Sequence, residues 1–274
     1  MTLKEKMKLG LIQMITYKDK EMSLDKAAEN IKQLANQGAD MVVLPEMFNC
    51  PYETQRFPQY AEPEGGSTWQ RMRQVAIDNH IYLVCGSIAE IEDGNIYNTS
   101  FVFDREGNQI GKHRKIHMFD INIENGQYFK ESETLEAGDH ATVFETEFGT
   151  IGLAICYDVR FPELSRMMVD RGAKMLIYPA AFNMTTGPAH WELLFRTRAV
   201  DNQVFTVGCA PARDYSLSYI SYGNSIVVDP WGDVLGRLDD SEGYLLGEID
   251  FGEVSHIREQ LPIIKQLRKD VYHK

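Results

Sequence analysis

Long apolar runs are absent from this 274-residue chain. No segment reaches the ~20 residues that a bilayer-spanning helix needs. The N-terminal MTLKEKMKLG carries charge but no apolar stretch before a cleavage site, so no secretory signal is expected. Cysteine is scarce and scattered, at Cys50, Cys85, Cys156 and Cys209, with no CxxC spacing. Without an export signal these read as free thiols in a reducing compartment, which points to the cytoplasm. Positive charge is in deficit: 28 Lys and Arg stand against 40 Asp and Glu, a formal net charge of -12. Nucleic acid and anionic membrane surfaces would be repelled by such a chain. The same balance does not predict a cationic substrate, because one or two local arginines can hold a small acid. A metal site is not expected either. His113 and His117 stand four apart, but no Glu or third ligand sits at zincin spacing. They are expected to be structural or solvated histidines.

What is present is an alternation of short apolar runs with helical patterns. The length suits one large domain or two small ones, and no repeat or Pro/Gly/Ser-rich linker marks a boundary. KLGLIQMI (8–15) reads as a strand, and Ser23 is expected to cap a helix running to about Gln37. ADMVVLPE (39–46) is a short buried strand ending in a Pro. Thr68 to His80 is helical, and IYLVCGSIA (81–89) reads as one strand. NIYNTSFVFD meets the following run through an Arg-Glu-Gly-Asn turn, which predicts a hairpin. In the second half, 141–156 reads as two strands joined at Phe148-Gly149, followed by a helix from about Pro162 to Arg171. A strand, an amphipathic helix over 187–203 and further strands complete the chain. Crossover helices mixed with hairpins imply mixed sheets with helices outside, an α/β class; the pattern does not separate one sheet from two.

Three stretches carry reactive side chains. In IGLAICYDVRFPEL (151–164) a β-run ends at Cys156, and Pro162 sits where a helix would start. A side chain on such a strand-to-helix turn is pushed out above the sheet, the nucleophile-elbow geometry with Cys in place of Ser. A helix N-terminus there would favour the thiolate and help to hold an oxyanion. The alternative is a buried core thiol. Glu46 ends the strand MVVLPE, where a carboxylate points towards a crevice and desolvation would raise its pKa to suit a general base. Lys115 lies in a basic cluster with Lys112, His113, Arg114 and His117. A solvated loop is the preferred reading for Lys112 and Arg114.

Taken together, LPEMF with Glu46, HRKIHMFD with Lys115 and CYDVRFPE with Cys156 resemble the Glu–Lys–Cys signature of the nitrilase superfamily, the carbon–nitrogen hydrolases. FNCPY, GGSIAE, YNTSFVFD, FNMTTGPAHWELLFRTRAVDNQ and GNSIVVDPWGDVL are similar to its ω-amidase branch, and the resemblance spans nearly the whole chain. It implies one domain over residues 1–274, a four-layer α-β-β-α sandwich of two mixed sheets flanked by helices. It also implies roles: Glu46 as general base, Cys156 as the nucleophile that forms a thioester, Lys115 as oxyanion partner and the Tyr157 N–H as second donor. Glu131 in YFKESETL matches a second family Glu beside the Lys; from composition alone it would be a surface acid near Glu133 and Glu136. No metal or other cofactor is required.

The implied substrate is a small amide, the terminal amide of 2-oxoglutaramate or 2-oxosuccinamate. Arg160 is placed to bind its distal carboxylate, or else to form a salt bridge with Asp158 or Glu163. Phe182, Thr185, Thr186 and Tyr52 are further pocket candidates. MFDINIENGQYF (118–129) is expected to act as a lid. The stripe of Trp191, Leu194, Phe195 and Val200 is expected in the core. Family members usually dimerise by stacking helices near the elbow, and the tail from about residue 256 to 274 is expected to pack on the partner or on its own domain. Deaminated glutathione amidase is the rival enzymatic reading, nitrile hydrolysis a lesser one, and a catalytically silent binding scaffold the non-enzymatic one.

Overall fold

Alternation along the first strand sets the layering. Successive side chains of an extended chain face opposite ways, so Leu9 and Leu11 project to one side and Ile12 to the other. Both sides are buried: Leu9 and Leu11 join Ile151, Ile177 and Val207, whereas Ile12 joins Leu24, Ile31 and Leu34. Such a strand needs a layer on each face.

The computed structural model describes residues 3–124 and 128–272. The first half runs β1 (Lys6–Gln13), α1 (Lys20–Asn36), β2 (Met41–Val43), α2 (Phe57–Tyr60), α3 (Ser67–Asn79), β3 (Tyr82–Val84), β4 (Ile88–Glu92), β5 (Asn95–Phe103), β6 (Gln109–Arg114), β7 (Asp120–Asn122) and β8 (Tyr128–Lys130). The second half runs β9 (Thr142–Thr146), β10 (Gly149–Leu153), α4 (Pro162–Asp170), β11 (Met175–Pro179), α5 (Gly187–Asn202), β12 (Phe205–Cys209), β13 (Ile226–Val228), β14 (Val234–Arg237), β15 (Gly243–Asp250), α6 (Gly252–Gln260), α7 (Ile263–Gln266) and α8 (Lys269–Tyr272).

A seven-stranded mixed sheet has the order β15-β1-β2-β3-β5-β4, with β6 also paired to β5; a six-stranded one has β14-β13-β12-β11-β10-β9. Their facing sides share one apolar core. The outer face of the first sheet is covered by α1 and α3, and that of the second by α4 and α5. This is the expected four-layer sandwich, and its two-sheet form is what periodicity alone left open.

Local readings need correction at three places. The cap of α1 is Asp19, whose carboxylate accepts from the N–H groups of Glu21 and Met22. Ser23 lies one turn inside, buried, with its hydroxyl accepting from Tyr17 N. The expected strand over 81–89 is two strands, broken at Cys85-Gly86-Ser87. The segment carrying Glu46 crosses there: Ser87 N donates to Pro45 O and Ser87 Oγ accepts from Met47 N. Lys112 and Arg114 are not on a solvated loop. They sit on β6 and share the buried carboxylate of Glu90, at 2.5 and 2.8 Å.

The tail folds onto its own chain: Ile264 packs against the α4/α5 layer, and Gln203 Nε2 donates to Leu261 O. Residues 273–274 of that tail, and 125–127 of the expected lid, lie outside the described residues. The flanking parts of the lid segment form the β7–β8 hairpin.

Gly86 has φ +50°, and a Cβ there would sit 2.0 Å from Pro45 O. Backbone must therefore move to admit any side chain. Gly86→Ala is expected to cost roughly 2 kcal/mol or more, measured as a lowered urea midpoint at unchanged m-value.

Candidate active site

The strand β10 delivers Cys156 through Ala154 and Ile155 into a single 3-10 turn, Cys156–Arg160, and Pro162 then opens α4. Cys156 has φ +47°, a left-handed conformation that costs a non-glycine residue about 1 kcal/mol or more. Asp158 holds the turn in that shape. Its buried carboxylate accepts from Ile155 N at 3.0 Å and from His117 N at 3.0 Å. His117 Nδ1 lies 2.7 Å and His113 Nε2 3.1 Å from it. A carboxylate can only accept, so both imidazoles donate. Burial alone would raise the Asp158 pKa, but these histidine bonds outweigh it and hold the carboxyl well below the usual range.

Glu46 follows β2, and Lys115 follows β6. Lys115 Nζ lies 3.0 Å from Glu46 Oε1, 2.9 Å from Glu131 and 3.2 Å from Tyr52 Oη, and all three charged side chains are fully buried. Asn98 Nδ2 donates to Glu46 Oε1 at 2.8 Å, Phe119 N to Glu131 Oε2 at 2.6 Å, and Tyr52 Oη bonds Glu131. Glu46 Oε2 makes no hydrogen bond of regular geometry, but the carboxylate interacts with the Cys156 thiol.

Burial raises the Glu46 pKa, with the Lys115 ammonium opposing and the Glu131 charge adding to the rise. Burial would lower that of Lys115, yet the Glu131 and Glu46 charges reverse the sign and keep it protonated. The Cys156 thiol is pushed well up by burial and then by the Glu46 charge. The expected bias towards thiolate is therefore overturned. The turn at Cys156 is one 3-10 turn, α4 begins only at Pro162, and desolvation prevails. Burial and the Glu46 charge both favour the thiol form of Cys156 over the thiolate.

A narrow cleft opens on Cys156, walled by Phe119, Tyr157, Arg160, Phe182, Thr186 and Tyr219. The Arg160 guanidinium lies 4.9 Å from the centre of the Phe182 ring and 5.5 Å from that of Tyr157. Its Nη1 is 3.2 Å from His190 Nδ1, and its buried Nε has no hydrogen-bond partner among the described residues. The alternative salt bridge to Asp158 or Glu163 does not form, because Asp158 is committed to the two histidines. Thr186 is buried, and its hydroxyl donates to Asn183 Oδ1, leaving only a lone pair towards the cleft. Thr185 is exposed and lies outside the cleft wall. Tyr52 also stands apart from it, bonded to the buried carboxylates and packed on Phe129 and Tyr219.

A family model described as Carbon-nitrogen hydrolase matches residues 8–259. An omega-amidase NIT2 of Mus musculus is 48% identical over 265 residues, covering 97% of this chain and 96% of its own. One of Xenopus tropicalis is 47% identical over 267 residues, 97% of each. Among solved structures, Saccharomyces cerevisiae Nit3, a member of branch 10 of the nitrilase superfamily, has a TM-score of 0.90 at 41% identity, with 98% of each chain covered. The chain belongs to the carbon–nitrogen hydrolase family. It is thus a hydrolase acting on carbon–nitrogen bonds other than peptide bonds.

In this carbon–nitrogen hydrolase the fold brings Glu46, Lys115, Glu131 and Cys156 together from four separate segments. Glu131 is no surface acid: it is fully buried against Lys115. The stripe on α5 is split, with Trp191 and Phe195 in the core, Leu194 half-buried and Val200 exposed. Asn98, Asp158 and Tyr219 were not singled out by sequence reasoning. Asn98 had a faint signal, a polar residue at a buried phase of the alternating YNTSFVFD. The partners of Asp158 are 41 and 45 residues away, and nothing local marks them.

Asp158→Ala strands two imidazoles and two backbone N–H groups, and is expected to cost about 3 kcal/mol near neutral pH. The depressed folded pKa fixes the pH trend. The Asp158 contribution is complete above its ordinary value of 3.8 and is lost as pH falls below it. The wild-type advantage in urea midpoint should shrink on acidification through that window.

Proposed function

We propose that this hydrolase is an ω-amidase that cleaves the terminal amide of a short 2-oxo dicarboxylic acid monoamide such as 2-oxoglutaramate or 2-oxosuccinamate. The observation that carries the reading is the convergence of a buried Glu46–Lys115–Glu131 cluster on Cys156, beside a cleft whose cation, Arg160, has no carboxylate partner. Glu46 takes the thiol proton as Cys156 Sγ attacks the amide carbon. The oxyanion forms against the Lys115 ammonium and the Tyr157 N–H, at the start of the 3-10 turn. Protonated Glu46 returns its proton to the departing nitrogen, which leaves as ammonia. Glu46 then deprotonates a water that cleaves the thioester, and the thiol is restored. Arg160 binds the distal carboxylate, Phe182 packs on the carbon chain and Thr186 accepts from a donor on the substrate. Glu131 and Tyr52 hold Lys115 and Glu46 in register.

Relatives named omega-amidase at 47–48% identity support this substrate class. Exposed Met167, Leu193 and Val200 on α4 and α5 support a homodimer through those helices, the whole chain acting as one domain with its tail near that face. Four free thiols and the acidic charge suit the cytoplasm.

Ammonia release compared on 2-oxoglutaramate, deaminated glutathione and a simple nitrile tests the reading; it is lost if the 2-oxo amide is the poor substrate. In the same assay Arg160→Lys should raise KM about tenfold with kcat changed less, because the planar fork for the carboxylate is lost.

Glu46 must be ionised to accept the thiol proton, and its pKa is raised above the ordinary 4.5. The acid limb of kcat/KM should therefore have its midpoint above 4.5. A limb at or below that value would remove Glu46 from the role of desolvated base.

A further inference from the structure

A second, small cavity lies beside the Cys156 cleft and is lined by Glu46, Thr16, Ala212, Asp214, Leu217 and Ser221 among others. Two residues, Ala181 and Tyr219, line both spaces, and Tyr219 Oη donates to Ala181 O. This hydrogen-bonded pair forms the partition. Cys156 lines the cleft but not the second cavity; Glu46 lines the second cavity but not the cleft. The carboxylate nevertheless interacts with the thiol, so the base bridges the two spaces.

We propose that the second cavity delivers the hydrolytic water to Glu46. The inference rests on the acyl-enzyme reading given above. Once the thioester forms, the acyl chain still occupies the narrow cleft, so water arriving from that side has to pass the bound chain. A general base has to touch the water it deprotonates. Glu46 Oε1 is already committed to Lys115, Asn98 and Tyr52, whereas Oε2 is buried with no regular hydrogen bond. Oε2 is the atom left to receive a proton. The second cavity has room for about one water, and the polar groups of Thr16, Asp214 and Ser221 to bind it. Half-exposed Asp214 and Leu217 connect it towards solvent. The step balances: the water oxygen bonds to the thioester carbon, its proton passes to Glu46, the carbon–sulfur bond breaks, and that proton returns to the Cys156 sulfur. Acylation and deacylation then draw on different approaches to one carboxylate.

Leu217→Trp fills the mouth of this cavity and Ala212→Val narrows its interior, and neither residue belongs to the catalytic cluster. The full-length enzyme is mixed with the amide that the wild type turns over fastest. The ammonia burst, carboxylate release and mass of the Cys156 adduct are then followed in time. The expected result is a burst rate within about twofold of wild type, carboxylate release slowed about tenfold, and accumulated acyl-enzyme. A burst that slows in parallel with release would assign the cavity to the amide and overturn the proposal. Unchanged release in a folded variant, checked by circular dichroism, would overturn it as well; the gentler Ala212→Val decides if Leu217→Trp does not fold. Should wild type itself form no adduct with any amide, the acyl-enzyme reading falls first, and the proposal with it.

Discussion

One buried ammonium shared by two carboxylates holds this site together. Lys115, Glu46 and Glu131 have no exposed side-chain surface, and their separations are 2.9 and 3.0 Å. Taking three charges out of water costs several kcal/mol per ion, and only close mutual attraction with saturated hydrogen bonding offsets that cost. Asn98, Tyr52 and the Phe119 N–H supply the remaining bonds. Two carboxylates against one ammonium leave an excess negative charge. On the proposed mechanism this excess moves rather than grows: when Glu46 takes the thiol proton its charge disappears as the oxyanion's appears. Lys115 meets the same net charge before and after. Burial raises the pKa of both Glu46 and Cys156; the Glu46 charge adds to the rise at the thiol, whereas the hydrogen bond from the thiol opposes the rise at Glu46.

The scaffold has to set this cluster against a thiol carried by a different sheet. Glu46 and Lys115 follow β2 and β6 of the seven-stranded sheet, and Cys156 follows β10 of the six-stranded one. The apolar core between the sheets, from Leu9 and Leu11 to Ile151 and Ile177, therefore fixes the separation of Glu46 and Cys156. Two left-handed corners finish the job, Met47 beside Glu46 and Cys156 itself. Each is held by groups elsewhere in the chain. Ser87 binds the Met47 N–H, while Asp158 ties the cysteine turn to His117, two residues beyond Lys115. Asp158 thereby links the backbone on either side of the site, at Ile155 before Cys156 and at His117 after Lys115.

Legibility in the sequence follows the range of the interactions involved. Alternation exposed the strands, the 3.6-residue period exposed α1, α3 and α5, and the three motifs carried Glu46, Lys115 and Cys156 in order. The rest depended on distant contacts. The apolar run 81–89 has no local sign of a break, because the interruption is imposed by Pro45 crossing Gly86. Asp19 and Ser23 are both good capping types, and the choice between them is made by Tyr17, whose N–H takes the serine hydroxyl. The thiol's acidity could not be read from the turn, since burial under Phe119, Phe182 and Tyr219 outweighs anything the turn provides. Glu131 needed the family resemblance, as three acids within six residues look alike until one is buried.

The acidic substrate of the proposed reading and a chain of net charge -12 are compatible once the local field is considered. Arg160 is half-buried between Phe182 and Tyr157, which orient the guanidinium but supply no counter-charge. Burial lowers its pKa, the mark of a cation without a close carboxylate. Asp158, the acid nearest in sequence, is withheld by His113 and His117. A ligand carboxylate would complete what the protein leaves incomplete. A substrate lacking that group would leave a desolvated guanidinium unpaired, and unpaired buried groups discriminate more sharply than missing apolar contacts do. The histidine pair that shapes the nucleophile turn thereby also keeps the cleft's arginine available, so geometry at Cys156 and selectivity at Arg160 depend on the same carboxylate.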